Sequence, residues 1–250
     1  MLTARVRLFV ILAGVFVTCL LVGDIIGGKL IETRIFGADF TLTVGMIPFP
    51  VTFLLTDVLN EFYGKRAARF VTLCGFAMAV LAYVFIFIAG ALPIATLARA
   101  ADWKGVTDES FNNVFLGSRQ MIIASMAAYI VAQFVDIGVF HLLKRVTQNK
   151  LLWLRATGST AVSQLIDTIV INVVAWSGTL SAGAILNVIL SSYTLKVLIA
   201  FGLTPLVYAA HVFVQRGLGL EPVVLDAAGE PILLEPKPQP APAVAAAAEP

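Results

Sequence analysis

The chain has 250 residues, 59% of them hydrophobic and only 13% charged, with 17 Lys and Arg against 15 Asp and Glu. Soluble domains run at about 45–50% apolar and about 25% charged, so an excess gathered into long blocks excludes an ordinary soluble domain and predicts a polytopic membrane protein. A net charge of +2 makes no case for a nucleic-acid partner, and the chain contains no G-x-x-x-x-G-K-[ST] loop for ATP hydrolysis.

Cys19 and Cys74 lie inside apolar runs and read as packing residues, with neither a disulfide framework nor zinc spacing. His141 and His211 stand far apart, and neither a metal nor a cofactor is expected. Arg5 and Arg7 before Leu8–Val22 imitate a signal peptide, but the small-residue cleavage pattern is missing and the apolar run continues to Ile26, which predicts a first membrane helix.

Six spans are expected: Leu8–Ile26, Phe40–Phe62, Phe70–Leu92, Met121–Leu143, Thr160–Leu180 and Ser192–Phe213. Pro48 and Pro50 remove amide donors in the second, which reads as proline-interrupted, with two half-helices meeting at a ligand site, or as a helix that starts at Pro50 after a re-entrant approach. The connection from Pro93 to Ser118 is the longest and is expected to form a short surface helix or a lid. Residues 1–216 are taken as the transmembrane domain and 217–250 as a disordered Pro/Ala-rich cytoplasmic tail.

Basic residues cluster at Arg5 and Arg7, at Lys65, Arg66 and Arg69, at Lys144, Arg145, Lys150 and Arg155, and at Arg216. On the other side Lys29, Arg34, Arg99, Lys104 and Arg119 are diluted by acids. Both termini are therefore expected to face the cytoplasm in a multi-pass protein of the cytoplasmic (inner) membrane.

Polar residues inside these spans carry the functional expectation. Asp57 and Glu61 stand four apart, on one helix face with Thr56 and Asn60 close by. Gln133-x-x-Asp136 and Gln164-x-x-Asp167 each put an amide and an acid on one side of a helix, with Thr168 and Asn172 extending the second stripe. Asp57 precedes Lys65-Arg66 by the interval that separates Asp136 from Lys144-Arg145. At 1.5 Å per residue this puts both acids roughly 12 Å from the cytoplasmic border, and Asp167 roughly 18 Å from Arg155. All three are thus expected near the middle of a hydrocarbon layer about 30 Å thick. Each acid costs about 2.5–3.5 kcal/mol on insertion scales, which argues for a ligand or ion site over packing. Asp24, Lys196 and Arg119 fall nearer the outer border and suggest a charged pair or gate; Glu61 is grouped with them as a gating or coupling residue.

Carboxylates accept only and suit paired N–H donors or a cation, while an amide supplies both a donor and an acceptor. That combination fits the edge of a guanine-like base walled by Phe49, Phe53 and Phe134; a cation or proton pathway is equally allowed.

At these residues the chain resembles the queuosine precursor transporter family, grouped among vitamin-uptake-type (VUT) membrane proteins. The matching pieces are Phe49-Pro50-x-Thr52-Phe53-Leu54-x-Thr56-Asp57, Phe62-x-Gly64 with Arg66, Arg119, Ala128-Tyr129 and Gln133-x-x-Asp136. Ser159-Thr160, Asp167-Thr168, Tyr193, Lys196-Val197-Leu198 and Pro205-x-x-Tyr208 complete them. The resemblance implies a non-enzymatic importer of 7-cyano- and 7-aminomethyl-7-deazaguanine for tRNA modification, with Asp57, Gln133, Asp136, Asp167 and Lys196 as its core. The partners expected are a nucleobase-like small molecule and the lipid bilayer, and a homo-oligomer is compatible with the sequence. The family commonly has Asn where Asp24 stands. Two rival readings are a substrate-binding membrane subunit that needs a separate ATPase module, and an intramembrane aspartyl enzyme.

Overall fold

The computed structural model describes residues 3–225 apart from 28, 36–37, 101, 117–118 and 179. The chain folds as an all-α, multi-pass membrane protein with one small hairpin. Its helices are α1 (Ala4–Ile26), α2 (Phe49–Ala91), the single turn α3 (Asp108–Phe111), α4 (Arg119–Val146), α5 (Leu152–Trp176) and α6 (Ala182–Val212). Among the described residues four stretches are long and apolar enough to cross a membrane: Ala4–Ile26, Val44–Ala91, Ile122–Val146 and Ala182–Gly217.

The second expected span is corrected at its start. Ala38–Thr43 is a strand (β2) paired antiparallel with Leu30–Ile35 (β1), so Phe40 opens no helix. The prolines do not interrupt α2: Pro48 is its N-cap and Pro50 lies in its first turn. There the missing amide would have had no intrahelical partner, so proline costs nothing.

A straight 43-residue helix would be about 65 Å long, twice the hydrocarbon thickness. The break is at Gly64, whose φ of 76° and ψ of 177° are open essentially to glycine alone. Landmarks on α1 give the path on either side. Gly23 approaches Pro48, Arg5 reaches Phe62, and Gly75 lies against Phe16 and Leu20. The arm from Phe49 to the break therefore runs against α1 and the arm after it runs alongside, so α2 doubles back as a helical hairpin. Carbonyls freed at the break find new donors: Phe62 accepts from Arg5 Nη2 at 2.7 Å, and Glu61 accepts from the Val223 amide at 2.8 Å.

Lipid gives helices no hydrophobic reason to associate, so close approach and polar contacts hold the bundle. Ala124, Ala128 and Ala132 form a small-residue stripe on α4, fully or almost fully buried. A Cβ on Gly75 would stand 2.8 Å from the Tyr129 hydroxyl, which itself donates to the Thr72 carbonyl at 3.0 Å. One core gathers Leu12, Phe16, Leu55, Leu59, Phe62 and Val71; a second joins Phe140, Leu152, Ala156 and Val207, with Leu54 against it. Phe70, Phe85, Ile88 and Phe201 point outward.

The fifth expected span is also corrected: α5 begins at Leu152 and takes Arg155 into its first turn. This helix is not among the four apolar stretches, and Arg155, Thr157, Ser159, Thr160, Ser163, Gln164, Thr168 and Asn172 lie along it, all buried. In the Pro93–Ser118 connection the short helix is α3, capped by Thr107. Residues 218–225, assigned to the tail by sequence, pack on the bundle, with Leu225 buried; 226–250 lie outside the described residues.

Candidate functional site

Three polar layers stack along the bundle. At the basic end, the Glu61 carboxylate accepts two bonds from Arg155, Nε to Oε2 at 3.1 Å and Nη2 to Oε1 at 2.8 Å, and one from Lys144 Nζ at 2.9 Å. The side chains are 4%, 3% and 1% exposed, so two cations share one carboxylate out of contact with water. Arg155 Nη1 also donates to the carbonyls of Asn149 and Lys150 at 3.1 and 2.9 Å. Those carbonyls turn inward because Gln148, Asn149 and Leu151 adopt positive φ in the α4–α5 turn. This cluster ties the first arm of α2 to α4 and α5.

One helical turn deeper is the middle layer. Asp57 is fully buried on α2, within electrostatic range of Asp136 on α4 and of Glu61 and Arg155. Asp136 accepts from the Ser163 hydroxyl at 3.2 Å through Oδ1, while the Ser159 hydroxyl donates to the Ala156 carbonyl at 3.2 Å. Asp57 Oδ1, Asp136 Oδ2, Gln133 Oε1, Gln164 Oε1 and Thr168 Oγ1 are buried without a hydrogen-bond partner. Unpaired polar atoms away from water cost about 1–3 kcal/mol each, more when charged, which points to a group that arrives to satisfy them. Asp57 borders a narrow cleft with Phe53, Leu54, Thr157, Thr160, Ala200 and Leu203, which leaves room for about one water molecule. Ligand pockets usually start near 300 Å³, so the cleft is far too small for a base as it stands, and Gln133, Asp136 and Gln164 do not line it.

The third layer is toward the other end. Lys196 Nζ contacts Asp167 Oδ2 at 2.6 Å, both side chains partly buried, and stands 5.5 Å from the Phe49 ring centre. Asp24 instead accepts from the Ser125 hydroxyl at 3.1 Å. Lys196 therefore pairs with Asp167 and not with Asp24.

The expectation of three acids at one depth is corrected as well. Asp57 and Asp136 share a level, but Asp167 lies seven residues along α5 from cleft-lining Thr160, roughly 10 Å further out. Thr56 is buried and gives its hydroxyl to the Phe53 carbonyl at 2.9 Å. Phe53 meets Phe49 edge-on at 4.1 Å beside the cleft, whereas Phe134 lies under Arg69. Glu61 is locked in the basic-end cluster. Arg119 is the first residue of α4, and its side chain lies outside the described residues. Among the described residues no group of three or more His, Cys, Asp or Glu could hold a metal.

By sequence Lys144 and Arg155 mark a loop, and Ser159 and Ser163 carry no role; the structure puts both cations on Glu61 and Ser163 on Asp136. The four-residue spacing of the two serines was the signal that they share a face. For the cations, the signal was an intramembrane Glu61 in need of partners.

A family model described as "Putative vitamin uptake transporter" matches residues 43–210. A "Probable queuosine precursor transporter" of Bacillus subtilis (strain 168) is 33% identical over 171 residues, which cover 68% of this chain and 72% of that protein. The "Queuosine precursor transporter" of Escherichia coli (strain K12) is 29% identical over 64% of this chain and 68% of its own length. A "Probable queuosine precursor transporter" of Haemophilus influenzae is 31% identical over 53% and 51%. No solved structure matches the chain.

Proposed function

The chain belongs to the vitamin uptake (VUT) family that includes the queuosine precursor transporters, and from that premise we propose that it imports 7-deazaguanine precursors of queuosine across the cytoplasmic membrane. The observation that carries the proposal is the set of unpartnered buried oxygens on Asp57, Asp136, Gln133 and Gln164 between two layers of ion pairs. Asp57 receives the ring N–H and exocyclic amine of the base, the Gln133 and Gln164 oxygens accept from further N–H donors of the substrate, the Gln133 side-chain N–H donates to its carbonyl, and Phe53 walls the ring. Asp136, oriented by Ser163, holds a donor of the substrate or a proton.

In this proposal the chain crosses the membrane six times: α1, the two arms of α2, α4, α5 and α6. The Glu61–Lys144–Arg155 end and both termini face the cytoplasm, on the basic-residue rule. Transport proceeds by alternating access, with the Asp167–Lys196 pair as the outer barrier and the Glu61 cluster as the inner one. Asp167 was grouped with the substrate-holding acids on sequence; because Lys196 occupies its carboxylate, it is assigned to the barrier.

The test is uptake of labelled 7-cyano-7-deazaguanine by cells lacking their own importer. The parent chain is expected to restore uptake and Asp57→Asn to abolish it at equal membrane abundance. Normal uptake by Asp57→Asn would remove that residue from the site. No uptake of either deazaguanine by the parent would end the import reading.

A further inference from the structure

We propose that residues 218–225 form a latch that holds the basic end of the bundle shut. The segment lies beyond the 43–210 matched by the family model, and sequence alone assigned it to a tail. In the structure it leaves the end of α6 and crosses the mouth of the bundle. Leu220 packs against the core shared by α1 and α2. The Val223 amide donates to the Glu61 carbonyl at 2.8 Å, and its side chain covers the Gly64 break, 3.7 Å from where a Cβ would stand. Leu225, 7% exposed, is gripped at both backbone groups by one side chain: its amide donates to Asn149 Oδ1 at 3.0 Å, and Asn149 Nδ2 donates to its carbonyl at 3.0 Å.

Both anchors belong to the Glu61 cluster. Val223 sits on the residue whose carboxylate Arg155 holds, and Asn149 offers Arg155 its own carbonyl. The strap links the end of α6 covalently to a clip on the α4–α5 turn. Any movement that separates α6 from that turn, as opening of the middle layer toward the basic end requires, must break the clip first. No helix or strand supports the segment between its anchors, so release requires only a few bonds to part.

The latch presupposes the membrane bundle and an opening at this end, but no particular solute, and its test needs none. Cys19→Ser and Cys74→Ser remove the native thiols, and Ala200→Cys puts a reporter in the cleft beside Asp57. A membrane-impermeant maleimide is then applied to each face of sealed vesicles in turn. Asn149→Gly deletes the clip while suiting the positive φ of 62° at that position, and Val223→Pro deletes the other donor. Each lost hydrogen bond shifts a closed-to-open ratio by a factor of about five. Labelling from the basic-end face is therefore expected to rise about fivefold in Val223→Pro and up to about twenty-five-fold in Asn149→Gly, with labelling from the opposite face unchanged or lower. Rates within twofold of the parent in both variants, at unchanged melting temperature, would overturn the latch. So would an equal rise from both faces, since that reports general loosening. Either result leaves the import reading to its own uptake assay.

Discussion

Replacing Glu61 by Gln tests the basic-end cluster most directly. The amide keeps the shape of the side chain but removes the carboxylate that Lys144 and Arg155 share, two cations no more than 3% exposed. Three charge-assisted bonds of 2.8–3.1 Å are weakened together. Summed at about 1.5–3 kcal/mol each they would overstate the loss, since the bonds share one acceptor group. Breaking a buried pair by removing one partner costs about 3–5 kcal/mol, and that sets the expected destabilisation. For a chain of this size about 1 kcal/mol moves the melting temperature by about 2–4 °C, so Glu61→Gln should melt ~6–20 °C below the parent in detergent. Removing one surplus cation as well, in Glu61→Gln with Lys144→Met, should recover part of the loss and give a coupling of about 1–3 kcal/mol in a double-mutant cycle. A single-variant shift under ~2 °C, or strictly additive effects, would refute the view that two cations depend on one shared carboxylate out of water.

Gly64→Ala should destabilise by about 1–3 kcal/mol from backbone strain alone, because the Val223 methyls are at ordinary contact distance from the added carbon; an unchanged unfolding curve would mean that α2 does not turn sharply there. Asp167→Asn leaves Lys196 without its carboxylate and, with both side chains partly exposed, should cost about 1–2 kcal/mol of stability. The reversal Asp167→Lys with Lys196→Asp should restore at least half of that, and no recovery would show that the pair matters through something other than mutual charge.

Much of this protein was legible in its composition and spacing. Apolar blocks identified a membrane chain, because only a helix satisfies its backbone within lipid. Gln133-x-x-Asp136 and the Asp57 run marked the polar level, because buried charge is too costly to leave without a purpose. Tertiary packing alone decided which charges meet one another. Hydropathy places Arg155 in a loop, and nothing local to it announces that Glu61, 94 residues earlier, waits at hydrogen-bonding distance. Depth counting likewise put Asp167 beside Asp57, but it counted from Arg155 as a border residue; Arg155 lies inside the bundle on Glu61, so Asp167 falls farther out, where it meets Lys196. Pro48 and Pro50 read either as a break in the second span or as the start of a helix, and packing makes them the start of α2; the turn at Gly64 falls in the connection expected between Phe62 and Phe70. Sequence records the cost of each buried polar group, whereas the partner that offsets it is a property of helices meeting in space.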